Sequence, residues 1–162
     1  MYEKIKKALY RDKNFVLEHV EKDVICLASY HRAVRLRGKH DKEPTNLPGI
    51  KKLFREPAHC RVKVPRIALL NMFDIAKKEC DAVAVIVKDR RITLLPKSPK
   101  SDLVTASYEV DTNIVTDFCV NPKYFAQILK WSKSDEVTIG VGAPKKPIRI
   151  ECEFTALIAQ KG

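Results

Sequence analysis

The sequence predicts an α+β fold in which a unit of one helix packed on antiparallel strands is repeated. Three observations support this prediction. Apolar residues recur at helical spacing in three segments. Each of these segments is followed by short stretches in which apolar and polar residues alternate, as they do in half-buried strands. The order of one helix and then three strands returns at intervals of roughly 60 residues, which indicates an internal repeat.

The first module occupies the N-terminal part of the chain. Ile5, Ala8 and Leu9 mark the buried face of a helix in residues 1–12. Alternating stretches then predict three strands, in residues 15–23, 24–30 and 32–38. The chain has no room for a strand ahead of this helix, so we expect a truncated module. The proline-bearing residues 39–59 predict a linker.

The second module begins with an extended segment, VKVP, that ends at Pro65. A helix follows, and its apolar positions are expected to face a core: Leu69, Met72, Phe73 and Ala76. Strands are predicted in residues 82–87, 91–95 and 103–110.

The third module repeats this order with clearer signals. Residues 114–120 predict a strand, after which Asn121 is placed to cap a helix and Pro122 to occupy its first turn. Strands follow in residues 137–142, 148–153 and 154–159. An open sheet that ends in the strand 137–142 or 154–159 would expose unpaired backbone groups, and pairing between subunits is one remedy, so we expect a homo-oligomer.

The composition favours a cytoplasmic protein with a polyanionic partner. The chain has 45% hydrophobic and 31% charged residues, and no apolar run approaches the roughly 20 residues that span a bilayer. Neither a signal peptide nor membrane association is predicted. The net charge of +11 favours binding to nucleic acid, although a basic balance can also serve solubility alone.

The residue patterns do not predict a catalytic site, a metal site or a cofactor. The five cysteines stand singly, without the close pairs that hold zinc, and are expected to be buried free thiols. The four histidines and the dispersed aspartates form no recognisable catalytic cluster, and the five glycines form no phosphate-binding loop. A metal-dependent nuclease that uses scattered carboxylates stays open as a less favoured alternative.

Three segments together resemble the DNA sliding clamps, the bacterial DNA polymerase III beta subunit and its relative proliferating cell nuclear antigen. VKVPRIALLNMFDIAKKE resembles the strand and helix that begin a clamp domain, and FCVNPKYFAQILKWSKSDEVTIGVGAPKKPIRIE is similar to the second half of the last domain. NLPGIKKLFREP resembles the linker before that domain. The resemblance implies a partial clamp-like domain in residues 1–45, a linker in 46–57 and a complete clamp-like domain in 58–162.

The sequence also departs from the clamp pattern. Residues 29–36, SYHRAVRL, are similar to a Thr-x-Gly-His-Arg-Leu motif of the family but fall in a different module, so no role is assigned to them. The strong positive charge is also unlike the acidic balance usual in bacterial clamps. These departures leave open a basic DNA-binding protein that has the clamp fold but does not encircle DNA.

The resemblance implies a processivity factor whose helices contact duplex DNA without base readout and whose surface docks DNA polymerase and other proteins. Cations recur on all three predicted helices, although each one alone can equally be a solvated helix residue. The predicted DNA-binding residues are Lys4, Lys7, Arg11, Arg66, Lys77, Lys123 and Lys130.

A second site is implied for short peptides of partner proteins, at the place where the linker meets the last domain. An apolar groove with a few polar groups suits such peptides. The residues carried over by position are Pro48, Lys52, Leu53, Asn121, Pro147, Leu157, Ile158 and Ala159. Leu157 and Ile158 can equally be core residues of a strand.

Overall fold

The structure, a computed structural model, describes residues 1–97 and 106–161. In these ranges the chain forms four helices: α1 (Tyr2–Lys13), α2 (Pro48–Leu53), α3 (Arg66–Glu79) and α4 (Pro122–Trp131). The same ranges contain eleven strands: β1 (Leu17–Glu21), β2 (Val24–Ala28), β3 (Arg32–Arg37), β4 (Cys60–Pro65), β5 (Val83–Lys88), β6 (Arg91–Pro96), β7 (Ala106–Glu109), β8 (Thr116–Val120), β9 (Glu136–Val141), β10 (Ile148–Glu151) and β11 (Thr155–Ile158). The predicted order of a helix and then three strands is confirmed, although residues 103–105 of one predicted strand lie outside the described residues.

The strands form two antiparallel sheets. The seven-stranded sheet has the order β1-β2-β3-β11-β10-β9-β4, and the four-stranded sheet has the order β7-β6-β5-β8. The second and third modules exchange their first strands, because β4 pairs with β9 and β8 pairs with β5. This exchange joins the two modules. The pairing of β3 with β11 attaches the first module to them and continues the sheet across the predicted division between residues 1–45 and 58–162.

The edges of the sheets differ from the prediction. Residues 137–142 and 154–159 were expected to end an open sheet, but β9 and β11 each have a neighbouring strand on both sides. In the described part of the chain, the edge strands are β1 and β4 in one sheet and β7 and β8 in the other. The prediction was wrong because alternation of side chains identifies a strand and its faces, but not which strands lie beside it.

One hydrophobic core contains side chains from α1, α3, α4 and both sheets. The residues predicted to face a core are buried, among them Leu9 on α1 and Leu69 on α3. Helices α3 and α4 lie side by side, and the rings of Phe73 and Phe125 stack with centroids 4.1 Å apart. The predicted cap of α4 is confirmed, because the side chain of Asn121 accepts a hydrogen bond from the backbone N–H of Lys123 at 3.0 Å.

A short helix that was not predicted, α2, lies within the linker. Its Ile50, with Phe54 just after it, packs on the face of the seven-stranded sheet opposite the main core, in a second cluster with Leu157 of β11. Arg149 of β10 holds the end of this helix by donating hydrogen bonds to the carbonyl groups of Phe54 (2.6 Å) and Glu56 (2.9 Å). A helix of six residues is too short for its apolar spacing to stand out in the sequence.

A buried charge joins the first module to α4. Arg32 of β3 is 4% exposed. Its guanidinium group forms two hydrogen bonds with the carboxylate of Asp12 on α1, at 2.9 and 3.1 Å, and a third with the amide oxygen of Gln127 on α4, at 2.7 Å. The ring of Tyr124 lies 4.4 Å from the guanidinium carbon. These contacts offset the cost of removing the cation from water, a cost that an isolated buried charge would bear in full.

We predict that Asp12→Ala lowers the free energy of unfolding by about 3–5 kcal/mol, because Arg32 would stay buried without its counter-charge. Asp111→Ala is the matched control, since Asp111 is 99% exposed and pairs with Arg90 at the surface, where an ion pair contributes little. Urea unfolding followed by circular dichroism measures both variants. Equal stability of the two variants would contradict the importance given to the buried pair.

Candidate nucleic-acid and peptide interface

Helix α1 carries a basic stripe. Lys4, Lys7 and Arg11 are spaced by three and four residues, which places them on one face of the helix. All three are exposed, and Tyr10 lies beside them with 53% of its surface exposed. None of the three forms an ion pair within residues 1–97 and 106–161. Their charges are therefore available to a ligand.

The predicted cations of α3 and the end of α4 are engaged within the protein. Lys77 and Lys130 lie 2.9 and 3.2 Å from the same oxygen of Asp74. Burial alone would raise the pKa of Asp74, but the two ammonium groups beside it outweigh burial and lower it. Arg66 is half-buried and donates hydrogen bonds to the carbonyl groups of Ser134 (2.8 Å) and Leu129 (3.2 Å). Lys123, at the start of α4, is exposed.

The C-terminal end of α4 is held by Glu153. Its carboxylate accepts hydrogen bonds from the hydroxyl groups of Ser132 (2.5 Å) and Ser134 (3.1 Å) and from the backbone N–H of Lys133 (2.6 Å). Partial burial opposes ionisation, yet these donors lower the pKa of Glu153 to about 2. The helix that presents Lys123 is therefore fixed at both ends.

Four of the predicted peptide-groove residues line one apolar cavity of about 150 Å³ between α2 and β11. These residues are Leu53, Pro147, Leu157 and Ala159. Leu53 is 42% exposed and forms an accessible wall, whereas Leu157 is 5% exposed and forms the floor. A smaller cavity of about 40 Å³ adjoins it and shares Leu53, Pro147 and Leu157. The two cavities together are called the groove below.

The other predicted groove residues lie elsewhere. Pro48 and Lys52 are exposed on α2 and line neither cavity, and Asn121 caps α4. Ile158 is fully buried in the main core, because neighbouring residues of a strand point to opposite faces and Leu157 faces α2.

The groove also contains residues that were not assigned to it from the sequence. Residues 29–33, in the segment set aside as belonging to a different module, form one of its walls. The pairing of β3 with β11 brings them there, since Ala33 lies directly opposite Leu157. The similarity of residues 29–36 to a clamp motif was the signal that could have identified them.

Aromatic rings mark the rim of this wall. Tyr30 is 68% exposed. The ring of His31 lies between those of Tyr30 and Tyr124, with centroids 5.1 and 5.3 Å away, and burial lowers the pKa of His31. Lys13 lies over the Tyr30 ring at 5.9 Å. The rim thus offers flat, partly apolar surfaces beside a positive charge.

The linker passes close to β9 where the sheet has glycines. A Cβ atom at Gly142 would lie 2.8 Å from the carbonyl oxygen of Pro57, and one at Gly140 would lie 2.9 Å from the Cβ atom of Ala58. Only a residue without a side chain allows this approach. The glycines therefore hold the linker against the sheet beside the groove.

The five cysteines are free thiols. Cys26 and Cys119 are buried as predicted, and the other three are half-buried. Burial raises the pKa of Cys26 and of Cys152 to about 11, so these two thiols are protonated at neutral pH and are weak nucleophiles.

Comparison with solved structures identifies the fold. No family model and no curated protein matches the chain. The DNA polymerase III beta subunit of Thermotoga maritima matches 86% of the chain with a TM-score of 0.63 and 17% identity. The DNA polymerase sliding clamp of Caulobacter crescentus matches 86% with a TM-score of 0.65 and 12% identity, and the beta subunit of Streptococcus pyogenes matches 90% with a TM-score of 0.58 and 19% identity. The fold is that of the DNA sliding clamps.

The match covers a part of each clamp. The chain spans 41% of the Thermotoga maritima subunit, 40% of the Caulobacter crescentus clamp and 42% of the Streptococcus pyogenes subunit. The resemblance predicted from the sequence is thus confirmed for the fold, as one part of a clamp.

In the described residues, no group of three or more His, Cys, Asp or Glu side chains could hold a metal ion. Among the helices of residues 1–97 and 106–161, none has both the length and the apolar character to cross a membrane.

Proposed function

We propose that this chain acts as a clamp-like processivity factor, which binds duplex DNA without sequence specificity and holds replication or repair proteins through short peptides. The observation that supports this most directly is the clamp fold, shared with DNA polymerase III beta subunits at TM-scores of 0.58 to 0.65. No bond-making step is part of this function.

The basic stripe of α1 is the proposed centre of DNA binding. Lysine and arginine side chains that contact phosphates release counterions and give affinity without base readout, so the protein can slide. Lys4, Lys7 and Arg11 are exposed and carry no internal partner among the described residues. Lys77 and Lys130 share Asp74, so each offers less net charge to a phosphate. We therefore expect α1 to contribute more than α3.

We predict that the triple variant Lys4→Ala, Lys7→Ala, Arg11→Ala binds duplex DNA more weakly and with a smaller salt dependence. The slope of log K against log salt should fall by about 0.9 for each phosphate that the variant no longer neutralises. Fluorescence anisotropy of a labelled duplex at several salt concentrations measures this slope.

The matched control removes the same charge from elsewhere on the surface, by changing Lys22, Arg37 and Lys39, which are exposed in and beside the strands, to Ala. This control should keep most of the salt dependence. An equal decrease in both triple variants would mean that the net charge, and not the stripe, attracts DNA.

The groove is the proposed docking site for partner peptides. Its floor at Leu157 and its wall at Leu53 are apolar, which suits the burial of one or two apolar peptide side chains, and Tyr30 and His31 at the rim can pack against peptide backbone. Arg149 holds α2 in place, so the wall that carries Leu53 is fixed before a peptide binds.

We predict that Leu53→Glu weakens the binding of a labelled clamp-binding peptide from a replicative DNA polymerase by at least about tenfold, which is about 1.4 kcal/mol. The charge would replace an apolar wall that the peptide covers. Leu95→Glu is the matched control, because Leu95 is 38% exposed on β6 and does not line the groove. Titration by fluorescence anisotropy compares the two. Unchanged binding by Leu53→Glu would contradict the proposed docking site.

Assembly of several copies is part of the proposal. Within the described residues β7 pairs with β6 on one side and with no strand on the other, which leaves backbone groups free for another copy. We predict a mass above that of the 18.5 kDa chain in light scattering at micromolar concentration. A monomer under these conditions would contradict homo-oligomer formation.

Retention on DNA separates an encircling clamp from a basic clamp-fold protein that binds DNA from one side. A closed ring stays on circular duplex DNA at raised salt and slides off when the circle is cut. Equal release from circular and linear DNA would favour the second interpretation.

A further inference from the structure

The outer edge of β1 is covered by the chain's own linker. Residues 40–47, called the strap below, run along this edge. The backbone N–H of Thr45 donates to the carbonyl group of Val20 at 3.2 Å, and the backbone N–H of Val20 donates to the hydroxyl group of Thr45 at 3.0 Å. The same hydroxyl group donates to the carbonyl group of Glu18 at 2.9 Å.

Two histidines complete the contact. The backbone N–H of Leu47 donates to Nδ1 of His19, a residue that is 3% exposed, at 2.9 Å. The ring of His40 forms a hydrogen bond with the carbonyl group of Glu21. The strap therefore forms a hydrogen bond with each residue from Glu18 to Glu21.

In the other two modules this position belongs to a strand. On the side of β9 away from β10 lies β4, and on the side of β5 away from β6 lies β8. The equivalent side of β1, away from β2, carries the strap. Its contacts use the side chains of Thr45, His19 and His40 where a strand would form a continuous backbone ladder. The strap is thus a partial substitute for a strand.

We propose that the strap is an edge guard, which keeps β1 from pairing with β1 of a second copy of this chain. Within β1 the backbone groups of Glu18 and Val20 point to the outer edge, since they bond to Thr45, and the carbonyl group of Glu21, at the end of the strand, bonds to His40. Antiparallel pairing centred on His19 would place Glu18 of each copy opposite Val20 of the other, with both residues in hydrogen-bonded positions.

The side chains of β1 suit this pairing. Glu18 would face Val20, His19 would face its own copy, and Leu17 would face Glu21. No two carboxylates would lie directly opposite each other. The Glu18 residues of the two copies would be diagonal neighbours, and each is paired with Lys6 of its own chain. This inference depends on the sheet order and the hydrogen bonds of the strap, and not on the proposed DNA or peptide binding.

The test uses two substitutions of Thr45 that remove first one and then both of the groups that bond to β1. Thr45→Val keeps the shape of the side chain and removes the hydroxyl group that bonds to Val20 and Glu18. Thr45→Pro also removes the N–H that bonds to Val20. At low protein concentration we expect the amide of Val20 to exchange with solvent at least about tenfold faster in both variants. The mass in light scattering should rise above the wild-type value as concentration increases.

Thr112→Val is the matched control, because the hydroxyl group of Thr112 accepts a hydrogen bond from the N–H of Ile114 in another loop. It should change neither the exchange of Val20 nor the mass. At high concentration the Val20 amide of the Thr45 variants should regain protection as the new ladder forms.

Three outcomes would overturn the inference. Unchanged exchange of Val20 would mean that the strap does not protect β1. Fast exchange with the wild-type mass at every concentration would mean that the open edge does not pair. A higher mass without renewed protection of Val20 would place the new contact elsewhere.

Discussion

The architecture depends on the antiparallel pairing of β3 with β11. This pairing continues one sheet from the first module into the third, over residues that are far apart in the sequence. It brings Ala33 opposite Leu157 on the face that α2 covers, and so creates the floor of the groove. At the end of the same ladder Arg32 lies opposite Ile158 and reaches Asp12 and Gln127, so the pairing that builds the groove also fixes α1 beside α4.

The net charge is +11, but some of the basic side chains are engaged within the protein and are less available to a ligand than others. Arg32 forms a buried ion pair, and Arg66 donates a hydrogen bond to a backbone carbonyl group near the end of α4. Lys77 and Lys130 share the carboxylate of Asp74. A count of basic residues per helix therefore overestimates the charge that DNA would meet on α3. The stripe on α1 keeps its charge because Asp12 and Glu18 pair with Arg32 and Lys6, and because Glu3, which lies on the same helix, forms no ion pair with the stripe among the described residues.

The local features of this fold could be predicted from the sequence, and the long-range ones could not. Asn121 and Pro122 predicted the start of α4 because capping depends on a few adjacent residues. The module repeat could be predicted because the spacing of apolar residues in helices and strands is also a local property of the sequence. The inner position of β9 and β11, the exchange of β4 and β8, and the presence of α2 depend on contacts between distant segments. Four of the residues carried over from the clamp resemblance line one cavity, and residues 29–33 were not assigned there because their module was inferred from chain order and not from strand pairing.

The two proposed surfaces lie on opposite faces of the seven-stranded sheet. Ile158 points into the core beneath α1, α3 and α4, and Leu157, the next residue along the chain, points to α2 and the groove. The floor of the groove and helix α1 therefore lie on opposite faces of the sheet, and the proposed peptide site and the proposed DNA site approach each other only at the rim, where Lys13 of α1 lies over Tyr30. The proposed function needs two separate surfaces, and the two-residue alternation of side chains in β11 contributes to their separation.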